Sequence, residues 1–209
     1  MESGIDISHW NRVRDFTKVK ASGIDFVIIK AGGSDKGFYQ DVQFENYYRL
    51  SKLAGLKVGS YYYAGPNFYG AEAGELDAMR FCRIIHGKTF EYPVVIDIEE
   101  TSISSSKVRQ TTLAAIAFCK YMEAEGYYSM IYSSDISGFK ERLDIDMLNE
   151  IDKWVARYGK NRPSYVENYG IWQRSSTGRI DGIDGNVDLD TSFKDYEKII
   201  KKKRLNGWT

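Results

Sequence analysis

The sequence has few of the residues that build metal centres or disulfide frameworks. In 209 residues it carries two cysteines, Cys82 and Cys119, and two histidines. Each cysteine falls in a separate helix-like amphipathic segment, so we expect reduced thiols, with a helix-to-helix disulfide as the alternative. Isolated cysteines and histidines exclude a zinc site of the Cys/His type. We therefore expect neither a metal nor a cofactor.

Long apolar runs and an excess of either charge are also absent. No apolar stretch approaches the roughly 18 residues that a membrane-spanning helix needs. Lys plus Arg number 29, and so do Asp plus Glu, which gives a formal charge of zero. This balance indicates neither nucleic acid nor a membrane as a partner. The first residues, Met1 to Gly4, lack the basic start and apolar core of a signal peptide.

Aromatic residues, by contrast, are abundant. There are sixteen tyrosines, ten phenylalanines and four tryptophans. Aromatic faces pack on sugar rings, but tyrosine is also common in strands, so this composition only favours carbohydrate binding. The length fits one large domain or two small ones. Because no linker, repeat or low-complexity segment interrupts the chain, we expect residues 1–209 to form a single domain.

Strand-like segments recur along the whole chain. Eight of them are rich in β-branched or aromatic residues: 4–8, 26–31, 57–64, 93–99, 129–133, 153–157, 170–174 and 186–190. Between the earlier strands, helical periodicity covers residues 41–54, 71–85 and 106–125, each followed closely by glycine. Strands that alternate with helices indicate parallel pairing through right-handed crossovers.

The spacing between predicted strands becomes shorter after the fifth strand. Residues 141–151 can still form a helix, but the last strands start too close together for full crossover helices. The spacing therefore predicts an α/β fold, a modified and incomplete TIM-like barrel of five βα units followed by three strands. In such a barrel, chemistry takes place at the carboxyl ends of the strands.

Residues 93–100 read Pro-Val-Val-Ile-Asp-Ile-Glu-Glu and are the most informative segment. Side chains alternate along a strand, so Asp97 and Glu99 share one face while Ile96 and Ile98 share the other. Placing two acids together at the end of an apolar strand pushes their pKa values apart. Glycoside hydrolysis uses such a pair, with one carboxyl protonated and the other ionised. The alternative is that the strand simply reaches solvent here and that both acids are surface charges.

Other polar and aromatic residues lie at the ends of the remaining strands. They are Asp6 and Ser8, Tyr61 to Tyr63, Tyr132, Trp154, Arg157, Gln173 and Asp188. We expect these side chains to converge on one rim of the barrel. Asp184, Asn186 and Asp188 are spaced like the start of a calcium loop, but Leu189 stands where that loop needs glycine, so we expect no calcium site.

Seven short motifs occur in a recognisable order. They are Gly-Ile-Asp-Ile-Ser at 4–8, Phe-Val-Ile-Ile-Lys-Ala at 26–31, Gly-Ser-Tyr-Tyr-Tyr-Ala at 59–64, Val-Ile-Asp-Ile-Glu at 95–99, Trp-Val-Ala-Arg-Tyr at 154–158, Ile-Trp-Gln at 171–173 and Val-Asp-Leu at 187–189. Together they resemble glycoside hydrolase family 25. This family comprises lysozymes that cut peptidoglycan between N-acetylmuramic acid and N-acetylglucosamine.

The resemblance implies roles for four acids. Glu99 would be the general acid that protonates the leaving oxygen, and Asp97 would stay ionised to support the developing positive charge. Asp6 and Asp188 would hydrogen-bond within the acid cluster or orient water, with a purely structural role as the alternative.

The aromatic and polar rim residues would bind substrate. Tyr62 and Tyr132 would contact the glycan, with Tyr62 bonding an acetamido oxygen, unless both only pack at the rim. The other candidates for the same role are Tyr63, Trp154, Arg157 and Gln173, with core packing as the alternative for the strand aromatics.

The expected partner is the glycan strand of bacterial peptidoglycan, cut by a monomeric enzyme at the cell wall. Without a visible signal peptide, export would use another route, such as a phage holin pore, or the signal would be missing from this sequence. A chitinase-like endo-glycosidase and a non-catalytic glycan-binding barrel are the competing interpretations.

Overall fold

A closed barrel organises the protein. The computed structural model describes residues 1–99 and 107–209. In that part of the chain, eight strands close the barrel: β1 (Glu2–Ile7), β3 (Phe26–Gly33), β5 (Lys57–Tyr63), β6 (Val94–Asp97), β7 (Ser129–Ser134), β8 (Asp152–Ala156), β9 (Ile171–Gly178) and β11 (Val187–Ser192). Short strands β2 (Arg12–Val13), β4 (Tyr39–Gln40) and β10 (Ile183–Asp184) lie outside it. All eight strands expected from the sequence are present, with ends shifted by a few residues.

Strand direction divides the barrel into two parts. From β1 through β3, β5, β6, β7 and β8 to β9, every neighbouring pair is parallel. The last strand, β11, runs antiparallel to both β9 and β1 and so closes the barrel. We call the end at which the parallel strands finish the mouth, and the opposite end the base.

Helices cover the outside of the barrel. They are α1 (Phe16–Ala21), α2 (Phe44–Leu53), α3 (Ala71–Ile85), α4 (Val108–Ala124) and α5 (Tyr196–Lys203). The three helices predicted from periodicity correspond to α2, α3 and α4. Helix α1 is short, and the carboxylate of Asp15 begins it by accepting the backbone N–H groups of Thr17 and Lys18.

The connection from β7 to β8 departs from the predicted pattern. Residues 141–151 contain no α-helix; a π-helical turn, Asp135–Lys140, and a 3₁₀ turn, Ile145–Leu148, replace it. The buried ammonium of Lys153 explains part of this, because it binds the carbonyl oxygens of Leu148 at 2.8 Å and Ile151 at 2.9 Å. Those carbonyls are therefore satisfied outside a helix. The fifth βα unit lacks its α-helix.

Alternation along the strands creates two apolar layers. Val94 and Ile96 face outward into the layer beneath the helices, whereas Val95 faces the barrel interior. Near the base, the interior is filled by Phe26 and Tyr92, whose rings stack at 4.0 Å. Gly4 makes room for Phe26, since a Cβ there would lie 2.2 Å from its ring. The interior is thus apolar at the base, which leaves polar side chains to the mouth.

The C-terminal segment closes the base. The side chain of Asn206 accepts the backbone N–H of Tyr128 at 2.7 Å and donates to the carbonyl oxygen of Tyr92 at 2.9 Å. The indole of Trp208 donates to the carbonyl oxygen of Phe90 at 3.0 Å. These bonds tie the last residues to the starts of β6 and β7.

Both cysteines are free thiols, as expected. Cys82 lies on α3 with its sulfur 3.5 Å from the sulfur of Met122, and Cys119 is buried on α4. Burial raises the pKa of each thiol to about 12, which keeps both protonated and unreactive. They act as small core side chains.

Candidate active site

Asp97 lies at the end of β6 and points into the barrel mouth. It is paired in register with Tyr63 of β5 on one side and Tyr132 of β7 on the other. Ile96 and Ile98 face the helices and are fully buried. Glu99, two residues beyond Asp97, is exposed. The alternation predicted for this motif is therefore present in the structure.

The electrostatics of the pair differ from expectation at Asp97. Its side chain is 4% exposed, and its Oδ1 has no hydrogen-bond donor among the residues that the structure describes. Burial, and next the charge of Glu99, raise the pKa of Asp97 well above its usual value, while Lys30 acts in the opposite direction. Asp97 is thus the buried member of the pair, and its ionisation is opposed rather than favoured.

Lys30 is a site residue that the sequence reasoning missed. It lies near the end of β3, and its Nζ sits 4.3 Å from the ring centroid of Tyr63. Only 8% of the residue is exposed. Ile28 and Phe26, two and four residues earlier on the strand, also face the interior. The alternation therefore contained the signal that Lys30 points into the mouth.

A second set of acids lies across the mouth from Asp97. Asp6 of β1 is paired in register with Asp188 of β11, and Gly4 is paired with Asp190. Burial raises the pKa of Asp6 well above its usual value, and the charges of Asp190 and Asp188 add to this effect. Burial likewise raises the pKa of Asp188. We call Asp6, Asp97, Asp188 and Asp190 the carboxylate cluster.

Asp190 was not predicted as a site residue, although it is fully buried in the cluster. Burial raises its pKa to about 8 and the charge of Asp188 adds to the shift, although a hydrogen bond from Trp154 opposes it. Asp188 and Asp190 are two apart on one strand, as Asp97 and Glu99 are two apart in sequence. The same periodicity could have identified Asp190.

Three predicted residues form a hydrogen-bonded support below the acids. Gln173 donates through Nε2 to Asp6 at 2.8 Å, and its Oε1 accepts from the hydroxyl of Tyr132 at 2.8 Å. Trp154 donates through Nε1 to Asp190 at 2.9 Å. All three side chains are at most 5% exposed. The structure therefore brings Tyr132, Trp154 and Gln173 to the site, but as a layer behind the acids.

Tyr62 does not lie where the sequence interpretation put it. The residue is fully buried beneath α3 and α4, and its hydroxyl lies 3.3 Å from Asp77. Strand alternation is the reason, since Tyr62 pairs with the outward-facing Ile96. Tyr61 takes the inward position, where its ring packs against Trp154. The prediction that Tyr62 contacts substrate is therefore wrong, and Tyr61 and Tyr63 are the tyrosines of this strand that share the face of Asp97.

Arg157 is also engaged away from the acids. Its Nη1 binds Asp135 at 2.7 Å and the hydroxyl of Ser164. Asp135 in addition accepts the backbone N–H groups of Ser164 and Val166. The guanidinium thus fastens the loop after β8 to the segment after β7, and its contact with substrate stays a prediction.

Two aromatic side chains at the mouth are exposed and were not predicted to bind substrate. Trp10, three residues after β1, is 79% exposed, and Tyr158, two residues after β8, is 55% exposed. The Trp10 ring lies 4.5 Å from that of His9, which is itself bound to Asp41 through Nδ1. Such exposed, anchored rings can pack against a sugar.

Other kinds of site are less well supported. Within residues 1–99 and 107–209, no group of three or more His, Cys, Asp or Glu side chains is arranged to hold a metal ion, and no helix is long and apolar enough to cross a membrane. Asp184, from the calcium-like spacing, binds Arg14 at 2.7 Å. A cavity of about 520 Å³ lies at the base, lined by Tyr128 and Asp152 among others. It is at the opposite end of the barrel from the acids, so it is not the catalytic cleft.

Comparison with known proteins gives a consistent result. A family model described as glycosyl hydrolases family 25 matches residues 5–183. The autolytic lysozyme of Clostridium acetobutylicum is 31% identical over 187 residues, which cover 90% of this chain and 54% of that protein. The chain thus spans about half the length of this curated relative.

Solved structures share the fold. The crystal structure of the CTP1L endolysin superimposes with a TM-score of 0.81 and 26% identity, covering 97% of this chain and 70% of that one. A family 25 glycosyl hydrolase from Bacillus anthracis gives a TM-score of 0.77 at 17% identity, covering 99% and 94%. The second likeness concerns the fold alone.

Proposed function

Because the chain belongs to glycosyl hydrolase family 25, we propose that it is a muramidase. It hydrolyses the β-1,4 bond between N-acetylmuramic acid and N-acetylglucosamine in bacterial peptidoglycan. The observation that carries this proposal is the pair of Asp97, buried at the mouth, and Glu99, exposed beside it. A relative named as an autolytic lysozyme supports the choice of substrate.

Glu99 is the proposed general acid. It is the exposed member of the pair and therefore the one that a glycosidic oxygen can reach. For Glu99 to donate, the proton held by the pair must lie on it and Asp97 must be ionised. Lys30 favours that distribution, since its positive charge lowers the pKa of Asp97 against the effects of burial and of Glu99. Lys30 is thus proposed to set the charge state of the pair.

The anomeric carbon is proposed to be attacked by the substrate's own 2-acetamido oxygen. Asp97 and Glu99 come from the same side of the mouth, whereas direct double displacement needs a nucleophile on the opposite side, about 5–5.5 Å from the acid. Asp97 would instead stabilise the charged ring that forms. Tyr61 and Tyr63, not Tyr62, share the inward face of this strand and could orient the acetamido group.

This route predicts net retention of configuration. Proton NMR of the first product released from a soluble glycan should show the β-anomer before mutarotation. Initial appearance of the α-anomer would indicate inversion by water held on Asp6 or Asp188.

The bond specificity is tested by mass spectrometry of peptidoglycan digests. A muramidase leaves N-acetylmuramic acid at the new reducing end. Chitin serves as the second substrate: faster cleavage of chitin would support a chitinase-like enzyme instead. Binding to peptidoglycan without release of any fragment would identify a non-catalytic glycan-binding barrel.

We also propose the domain organisation, the oligomeric state and the place of action of the protein. Residues 1–209 act as one catalytic domain, as a monomer, on the bacterial cell wall. Similarity to an endolysin and to an autolytic lysozyme supports the wall as the place of action. Light scattering during gel filtration tests the monomer, with a mass near 24.0 kDa expected.

A further inference from the structure

Asp190 occupies an enclosed position that the proposed mechanism does not use. It is fully buried on β11, opposite Gly4 of β1. Its Oδ1 accepts the indole N–H of Trp154 at 2.9 Å. Its Oδ2 has no donor among the residues that the structure describes. A buried carboxylate oxygen without a donor is costly, so its surroundings must satisfy it in another way.

The neighbouring groups leave one way to satisfy it. The carboxyl of Asp6 on β1 lies within hydrogen-bonding reach of both Asp190 and Asp188, and Asp190 is the more deeply buried of the two. The positive charge of Arg174 on β9 also favours ionisation of Asp190, but it lowers the pKa of Asp190 less than the hydrogen bond from Trp154 does. Two ionised carboxylates both accept hydrogen bonds and cannot bond each other. A proton held between Asp190 and Asp6 supplies the missing donor.

We propose that Asp190 is a positioning residue, which shares one proton with Asp6 and thereby fixes the Asp6 carboxyl and its partner Gln173 beneath the substrate. The hydrogen bonds of Gln173 extend this fixed geometry from Asp6 to the tyrosines at the mouth. Gln173 donates to Asp6, and its Oε1 accepts from Tyr132 at 2.8 Å and from Tyr158 at 3.0 Å. A fixed Asp6 therefore fixes the orientation of the Gln173 amide.

Burial supports the same assignment. It raises the pKa of Asp190 to about 8 and that of Asp6 well above its usual value, so a proton stays on the pair at neutral pH. Loss of that proton would place two negative charges side by side in the barrel interior and would push Asp6 away from Gln173.

Carboxyl-carbon NMR titration tests the sharing directly and does not depend on activity. In Asp190→Asn, the amide still accepts from Trp154 and donates a permanent N–H to Asp6. Asp6 should then titrate at lower pH than in the parent, by at least about one pH unit, because the neighbouring charge is gone. Asp184→Asn, at the exposed ion pair with Arg14, is the control and should leave Asp6 unchanged. An unchanged Asp6 titration in Asp190→Asn would overturn the proposal.

Turnover supplies the second readout, and this part rests on the proposed muramidase function. Asp190→Leu should lower kcat on solubilised peptidoglycan by on the order of tenfold, as expected when a buried hydrogen bond is lost. Asp190→Asn should restore kcat to near the parent value. Equal losses in both variants would contradict positioning through a shared proton. If the parent itself releases no fragments, the proposed function fails, and the titration still decides this inference.

Discussion

Buried acids at the two ends of the barrel differ in how many hydrogen-bond donors surround them. At the base, Asp152 Oδ2 accepts from the hydroxyls of Tyr128 at 3.0 Å and Tyr196 at 2.8 Å, and from Lys194 at 2.9 Å. At the mouth, one oxygen each of Asp97 and Asp190 has no donor within the described residues. The barrel and the residue type are the same at both ends. What differs is the supply of donors.

This difference separates acids that are hydrogen-bonded into the structure from acids whose ionisation is opposed by burial. Donors stabilise the ionised form, whereas burial without donors stabilises the protonated form. Asp135 shows that lying at the mouth is not enough. Burial opposes its ionisation, but backbone donors from Ser164 and Val166 and the Arg157 guanidinium outweigh that effect and lower its pKa. Asp135, like Asp152, accepts several hydrogen bonds, although it lies beside the strand ends.

The largest difference is expected when one acid is removed from each end of the barrel. Glu99→Gln should lower turnover on the order of 10²–10⁴-fold, because the amide cannot donate a proton to the leaving oxygen. Its thermal midpoint should stay near that of the parent. The matched variant Asp152→Asn should do the reverse, with a lower midpoint and turnover within about twofold. Similar turnover losses in both would break the comparison.

Asp97→Asn tests the electrostatic interaction between Asp97 and Glu99. We expect turnover to fall by on the order of 10²-fold, since the charge that stabilises the intermediate is gone. The basic limb of the pH–activity profile should also move to lower pH, because the variant lacks the negative charge that holds a proton on its neighbour. Rates measured from pH 4 to 9 check this. A basic limb at the parent's position would show that the two carboxylates act independently.

Asp135 accepts hydrogen bonds from several donors, and Asp135→Asn tests how much its ionised carboxylate stabilises the folded protein. The folded pKa of Asp135 is below its unfolded value, so its ionisation stabilises the folded state above about pH 4. This contribution is lost as pH falls through the folded pKa. Urea unfolding should therefore show a large stability gap between parent and variant at pH 7 and a much smaller gap at pH 3. An equal gap at both values would mean that the ionised form of Asp135 contributes nothing.

Trp10→Ala tests whether the exposed surface of the mouth takes part in binding the glycan. A sugar ring packed on the indole should bind more weakly without it, so KM should rise by roughly fivefold with kcat nearly unchanged, which corresponds to about 1 kcal/mol. Val42→Ala, at another exposed apolar residue, is the control and should have no effect. Unaltered KM in Trp10→Ala would exclude the ring from substrate binding.

The smallest effect is expected at Tyr62. Because its hydroxyl faces Asp77 beneath the helices, Tyr62→Phe should leave kcat/KM within about twofold of the parent. Tyr61→Phe is the matched change on the inward face and should be the more harmful of the two. A larger loss for Tyr62→Phe would contradict the orientation of this strand.

Most of the barrel could be predicted because apolar periodicity and spacing record which surfaces are buried. The same alternation would have selected Tyr61 over Tyr62 and would have found Lys30 and Asp190. The partners of a side chain are harder to predict. Nothing in the local sequence states that Arg157 binds Asp135, or that Lys153 takes up the carbonyls of Leu148 and Ile151. These contacts depend on loops that meet only in the folded chain.

The antiparallel last strand has a consequence for what can be joined to this barrel. Because β11 returns toward the base, the N-terminal strand starts at the same end at which helix α5 lies, where Lys57 bridges Glu2 and Glu197. Asn206 and Trp208 anchor the chain there as well. A tag, a linker or a wall-binding module fused at either terminus would emerge from the face opposite Glu99. Such a fusion could anchor the enzyme to a surface while its cleft still points at the glycan.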